Sequence, residues 1–205
     1  MATLALPRSI LWLHGRRDRN RKRVALTFDD GPDAMTLEYL DVLAHLNVRA
    51  TFFLIGEKAA REPGLVREYR RAGHDVGGHG WSHDAFSRMS DDRLRDELAR
   101  TESALGAAEG RLRFVRPPRG AISIRSLVQI AAAGYTTVLW SIDSDDCRAR
   151  DPRIVERRVA PKTIGPGDVV LLHELQSWTI EALPSIVTSL RREGYELVTI
   201  SELME

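Results

Sequence analysis

Asp29 and Asp30 stand side by side at the end of the apolar run Val24-Ala25-Leu26-Thr27-Phe28, and Gly31-Pro32 follows at once. Two adjacent carboxylates at the end of a buried strand repel each other and lose hydration. A cation must compensate them, and a metal ion and an arginine both qualify. Taken alone, the segment also reads as an ordinary acidic turn. His79-Gly80-Trp81-Ser82-His83 places two imidazoles four residues apart; on a helical turn they face the same way and can chelate one divalent cation. With a carboxylate from another strand end, the pair becomes a two-His, one-carboxylate site with positions left for water, which is a catalytic arrangement. Arg116-Pro117-Pro118-Arg119-Gly120 is a stiff, extended segment that projects its arginines at fixed angles, or a surface loop. Asp168-Val169-Val170-Leu171-Leu172-His173 is a buried strand ending in an imidazole, either a core histidine or, opposite a metal, a general acid. His14, His45 and His74 have no such company and read as surface or capping residues.

Those groups need elements that bring them to one place. Seven extended runs are visible, at 24–28, 50–55, 75–78, 113–116, 136–142, 168–173 and 196–200. Thr36 to Leu46 carries Leu37, Leu40, Leu43 and Leu46 on a helical stripe, Ser90 caps a helix bearing Leu94, Leu98, Thr101 and Leu105, and Asp151-Pro152 opens another. Gly73, Gly134 and Gly194 each join a helix end to an extended run. Repeated helix–Gly–strand joins imply βα units on a parallel sheet. A full eight-stranded barrel takes roughly 250 residues, so this chain points to an α/β fold: a distorted, shortened (β/α) barrel of about seven parallel strands. The polar clusters all fall at C-terminal strand ends, which share one rim in such folds. Asp143 and Asp146 follow the fifth run, Trp140 reads as core on that run, and Trp178 either lines the cleft or staples the start of its helix.

The bulk numbers fit one soluble domain. The chain has 205 residues, 43% hydrophobic and 29% charged, with 30 basic and 29 acidic side chains and a net charge of +1. That balance gives no reason to expect nucleic acid as a partner. Residues 1–23 read as a loosely ordered basic extension, and 24–205 as a single catalytic domain. The basic run within 16–23 is a solvated linker or a contact to an anionic surface such as a membrane. The single cysteine, Cys147, rules out an intrachain disulfide. No convincing signal peptide is visible; the expected compartment is the cytoplasm, or outside it if a native leader is missing. A monomer is expected.

Taken together, these motifs resemble the polysaccharide deacetylases of carbohydrate esterase family 4, the NodB-homology domain, from about Val24 to Leu203 and in that family's motif order. The resemblance implies a hydrolase that removes N-acetyl groups from amino sugars of a peptidoglycan-like or chitin-like glycan and releases acetate. O-acetyl ester hydrolysis and a non-catalytic carbohydrate-binding homologue are the alternatives. It implies a divalent metal, zinc or else cobalt, nickel or manganese, on Asp30, His79 and His83. Asp29 becomes the catalytic base, Arg116 the residue that orients it, and the Arg119 amide part of the oxyanion site. His173, held by Asp146, becomes the general acid, with Pro117, Gly120, Leu171 and Trp178 around the substrate. The chain departs from the pattern twice. Arg119 stands where tyrosine is frequent, as in some peptidoglycan deacetylases acting on muramic acid residues, and Cys147 replaces a tryptophan that would wall the cleft.

Overall fold

The computed structural model describes residues 11–12, 21–106 and 113–205. Its strands are β1 (Leu11–Trp12), β2 (Arg23–Asp29), β3 (Thr51–Leu54), β4 (Asp75–Gly78), β5 (Phe114–Val115), β6 (Thr136–Val138), β7 (Ile142–Asp143), β8 (Asp168–His173) and β9 (Glu196–Leu197). The helices are α1 (Thr36–His45), α2 (Gly56–Arg61), α3 (Pro63–Arg71), α4 (Asp91–Ala104), α5 (Ile124–Ala132), α6 (Asp146–Ala149), α7 (Pro152–Arg158), α8 (Ser177–Arg192) and α9 (Ile200–Leu203). All strand pairings are parallel, in the order β1-β6-β5-β4-β3-β2-β8-β7 with β9 beside β2. The sheet curls into an incomplete barrel with helices packed around it.

Strand β2 shows how the sequence positions the site. Val24, Leu26 and Phe28 pack outward with helix residues such as Tyr39, Leu43, Leu183 and Ile186. Ala25 packs inward with Phe53, Phe114, Val138 and Val169. Both faces are buried, which is why the run is continuously apolar rather than alternating. Because side chains alternate along a strand, Thr27 and Asp29 share the inward face of Ala25, and Asp29 arrives at the C-terminal mouth.

The run 136–142 is not one strand. β6 pairs with β5 and β7 pairs with β8, so the intervening residues 139–141 cross the seam of the barrel. Buried carbonyls at such a break need donors. Arg116 supplies them, with Nε to the Val138 oxygen at 3.2 Å and Nη2 to the Leu139 oxygen at 3.0 Å. The run 196–200 is likewise shorter than its pattern: Thr199 caps α9, whose Ile200 and Leu203 plug the interior at the end opposite the mouth.

Three further expectations change. Leu37 is exposed, and Thr36 and Tyr39 take the inner stripe with Leu40 and Leu43. His74 is a buried core residue, not a surface one: its Nδ1 accepts from the Ala50 amide at 3.0 Å and burial pulls its pKa down to about 4. Within the N-terminal segment, Leu11–Trp12 forms a strand on Thr137 and Val138. Lys22 and Arg23 are tied to Glu193, Glu196 and Glu202, while His14 and basic residues 16–20 lie outside the described residues. Ser90 and Asp151 cap α4 and α7 as their sequences imply.

Candidate active site at the C-terminal strand ends

At the barrel mouth, Arg116 is fully buried and its Nη1 donates to Asp29 Oδ1 at 2.7 Å and to Thr27 Oγ1 at 2.8 Å. A buried guanidinium is tolerated when its donors are matched by acceptors and one acceptor carries charge. Burial pulls its pKa down, and Asp29 opposes that pull. The Arg116 carbonyl lies 2.7 Å from His79 Nδ1. A carbonyl only accepts, so Nδ1 carries the hydrogen and Nε2 presents its lone pair to the cleft. One residue thus fixes Asp29 through its side chain and His79 through its backbone.

His79 Nε2 faces Asp30 Oδ1 at 3.5 Å and Asp29 Oδ2 at 3.6 Å, and His83 Nε2 faces Asp30 Oδ1 at 3.2 Å. Asp30 Oδ1 is buried and has no hydrogen-bond donor among the described residues. Burial, then the neighbouring His79, pulls the His83 pKa down, which keeps that imidazole neutral. A buried acceptor beside two imidazole lone pairs has no internal partner and fits a cation. Three ligands about 2.0–2.1 Å from a tetrahedral zinc stand roughly 3.3 Å apart, which matches the Asp30–His79 and Asp30–His83 separations. The residues present therefore fit a divalent metal ion. Asp30, His83 and Arg119 have φ of 75°, 63° and 59°, left-handed backbone that non-glycine residues adopt at a cost. All three residues line the cleft.

Across the mouth, Asp146 is fully buried and holds His173. Its Oδ1 lies 2.7 Å from His173 Nδ1, and its Oδ2 accepts from the His173 amide at 2.7 Å and Thr179 Oγ1 at 3.0 Å. Burial by itself lowers the imidazole pKa, but the Asp146 hydrogen bond outweighs it with help from Cys147 and from the charges of Asp146 and Asp29. The imidazole is held up to about 11. The arrangement presents a protonated imidazole to the cleft.

The cleft has a volume of about 370 Å³. Asp29, Asp30, His79, His83, Arg119, Leu171 and His173 line it together, with Arg116 and Asp146 behind them. Pro117, Gly120 and Trp178 are not in its lining. Trp178 Nε1 donates to the Asp146 carbonyl at 2.7 Å, so it braces the acid side from behind. Trp140, expected in the core, lines the cleft because its strand breaks after Val138; a Cβ on Gly120 would come within 2.9 Å of its ring. Gly120 is therefore a close-approach glycine against that ring. Asp143, Asp145, Cys147 and Arg148 complete the rim.

Two carboxylates escaped the sequence reading. Glu97 lies under the His79–His83 loop. Glu174, next to His173 and almost fully buried, takes Tyr69 Oη on both oxygens at 2.8 Å and Thr36 Oγ1 at 3.2 Å. Burial pushes its pKa up to about 8. A Cβ on Gly31 would meet Glu174 Oε2 at 1.5 Å, so only glycine lets the Asp29–Asp30 turn rest on this carboxyl. Each carboxylate had a visible signal: a glutamate within the apolar stripe Leu94, Leu98, Thr101, Leu105, and one that directly follows a buried strand.

Comparisons with known proteins give the family of the chain. The sequence model of the polysaccharide deacetylase family matches residues 16–138. The peptidoglycan-N-acetylglucosamine deacetylase PgdA of Listeria monocytogenes is 35% identical over 200 residues, 97% of this chain and 42% of that protein. The peptidoglycan-N-acetylmuramic acid deacetylase PdaC of Bacillus subtilis is 34% identical over 192 residues, 92% of this chain and 40% of that protein. The chain thus spans less than half the length of these two relatives. The crystal structure of the Bc1960 peptidoglycan N-acetylglucosamine deacetylase superposes with a TM-score of 0.90 at 30% identity, covering 96% of this chain and 94% of that one. By motif order, site geometry and overall similarity, this chain belongs to the polysaccharide deacetylase family.

Proposed function

We propose that the chain is a metal-dependent N-deacetylase that hydrolyses the acetamido group of an amino sugar in a peptidoglycan-like or chitin-like glycan, giving acetate and a free amine. The observation that carries the reading is the unpartnered Asp30 Oδ1 facing two imidazole Nε2 atoms, with Asp29–Arg116 on one side and His173–Asp146 on the other. Asp30, His79 and His83 would hold the ion, zinc by the nitrogen and oxygen donor set, with cobalt, nickel or manganese as substitutes. Bound there, it supplies Lewis-acid charge and acidifies water.

The chain's own groups do the rest. Asp29, oriented by its ion pair with Arg116, accepts the proton of the attacking water as the water oxygen bonds to the acetyl carbon. The Arg119 N–H donates to the developing oxyanion. As the C–N bond breaks, His173 gives its proton to the departing nitrogen. An amide nitrogen leaves poorly as an anion, whereas an ester alkoxide needs less help. An imidazole held protonated by Asp146 therefore supplies the proton that an amide leaving group requires. The Arg119 guanidinium lines the cleft without a hydrogen-bond or ion-pair partner among the described residues, which suits a substrate with its own carboxylate, as muramic acid residues have.

The test is acetate release from N-acetylglucosamine oligomers, glycan strands and acetylated xylan. Release from the amide substrates is expected, to be lost on chelation and restored by zinc. Fully loaded protein that released acetate from esters alone, or from nothing, would refute the proposal.

A further inference from the structure

Glu97 of α4 is buried, and all three hydrogen bonds that its carboxylate accepts among the described residues come from the loop that carries the two imidazoles. Its Oε2 accepts from the Trp81 amide at 2.7 Å and the Ser82 amide at 3.1 Å, and its Oε1 from the Ser82 hydroxyl at 2.8 Å. The loop's carbonyls go the other way: Gly56 N donates to the Gly80 oxygen at 2.8 Å and Glu57 N to the Trp81 oxygen at 3.2 Å. Arg100, one helical turn from Glu97, covers the Trp81 ring at 4.0 Å. The loop is thus gripped from both sides between its two histidines.

The grip opposes a bias in the chain. His79 is independently fixed, because its amide donates to the Leu54 oxygen at 2.8 Å and its ring to Arg116. Beyond its 3.2 Å contact with Asp30 Oδ1, the His83 side chain has no hydrogen bond among the described residues, and its backbone sits at a left-handed φ of 63°, a conformation that strains a non-glycine residue. Released, the segment would relax toward ordinary φ and swing His83 Nε2 away from Asp30. A hydrogen bond to a charged acceptor is stronger than one between neutral groups. Three bonds to one carboxylate therefore outweigh the strain.

We propose that Glu97 is the positioning residue that sets the His79–His83 spacing for one cation; it touches neither substrate nor metal. The inference rests on the metal reading above. The test is titration of the metal-free protein with Co2+, followed by its visible absorption, beside Glu97→Ala, Glu97→Asp and Glu97→Gln. Replacing an outer partner of a metal ligand typically weakens metal binding about 10–100-fold, and Glu97→Ala should fall in that range with an altered cobalt spectrum. Glu97→Asp keeps the charge, is one methylene short, and should weaken binding about tenfold; it decides the matter if circular dichroism shows Glu97→Ala unfolded. Glu97→Gln can accept both amides on its oxygen and donate to the Ser82 hydroxyl, so it should bind cobalt like the wild type. Wild-type affinity in Glu97→Ala or, where that variant is unfolded, in Glu97→Asp would overturn the clamp and leave the metal site standing. Glu97→Gln as weak as Glu97→Asp would overturn it too, by showing that meeting the two amides and the Ser82 hydroxyl is not enough to set the affinity. A wild type that takes up no cobalt would overturn both readings.

Discussion

The two walls of the cleft are built by opposite rules. On the metal wall, Asp29, His79 and Arg116 are almost fully buried at strand ends; the Asp29 carboxylate accepts from the Arg116 guanidinium and the Arg116 carbonyl accepts from the His79 imidazole, each at 2.7 Å. On the facing rim, Asp143, Asp145 and Arg148 pair mostly with one another near solvent. Exposed pairs of that kind are screened and contribute little, whereas removing one partner of a buried charge pair costs about 3–5 kcal/mol. The difference teaches where substitution is cheap: the chemistry is anchored in the barrel, and the rim can change without endangering it.

The strongest test of that contrast is Arg116→Met against Arg148→Met. The first removes a buried charge that also serves the carbonyls at the barrel seam. It should lower stability by about 3–5 kcal/mol and abolish turnover, because Asp29 loses its partner. The second should leave the denaturation midpoint unchanged. Equal effects in urea unfolding would erase the distinction between the walls. Asp29→Asn separates chemistry from stability on the same wall. Loss of a general base costs typically 10²–10⁴-fold in rate, and the metal content of the variant, read by elemental analysis, should stay at the wild-type level.

The acid side is tested by pH. Because Asp146 holds His173 up to about 11, the imidazole keeps its proton across the neutral range. In Asp146→Asn the carboxylate's pull is gone and burial lowers the imidazole pKa, so the acid is lost as pH rises through a lower value. The alkaline limb of kcat/KM should move to lower pH, and activity should be recovered in part at acid pH. A limb that does not move would remove His173 from the acid role.

Glu174 sharpens the comparison from beneath the metal wall. Its carboxyl titrates near 8 when folded and near 4.5 when unfolded, so between those values the folded state binds more protons. Stability must then fall as pH rises through that window. Glu174→Gln can keep partners for Tyr69 and Thr36 but cannot ionise, so its urea midpoint should hold between pH 5 and 8 while that of the wild type declines. Parallel profiles would mean that Glu174 is already ionised in the folded protein.

How much of this was legible depended on whether a residue acts through its neighbours in sequence or through space. The Asp29–Asp30 and His79–His83 pairs, and His173 at a strand end, announce themselves because adjacent carboxylates, i,i+4 imidazoles and a terminal histidine on an apolar run are local patterns. The strand count and the glycine joins were local as well, and they carried the barrel. Glu97 and Glu174 carry only weak local signals, and their partners are set by tertiary packing, 15 residues in chain from Ser82 in one case and 138 from Thr36 in the other. The seam after Val138 was hidden for the same reason: nothing in Thr136–Ile142 says that its two halves pair with different strands. The cleft-lining face of Trp140, which also packs on the inner core, was hidden with it.

The smallest predicted effect concerns the cleft residue least constrained by its surroundings. Arg119 takes a left-handed backbone: its amide is fixed by the Pro117–Gly120 turn, while its guanidinium lines the cleft without a hydrogen-bond or ion-pair partner among the described residues. Replacing the side chain should therefore leave the reaction intact and alter only what the cleft prefers. Arg119→Tyr should keep kcat on uncharged N-acetylglucosamine oligomers within about threefold, since the amide donor remains. It should raise KM on glycan strands with free muramic carboxylates by about five- to tenfold, the scale of one charge-assisted hydrogen bond near solvent. The preference should also weaken with added salt, because a partly exposed ion pair is screened. An unchanged ratio of kcat/KM between the two substrates would show that Arg119 does not read the carboxylate, and would hand that choice to the Arg148 rim opposite.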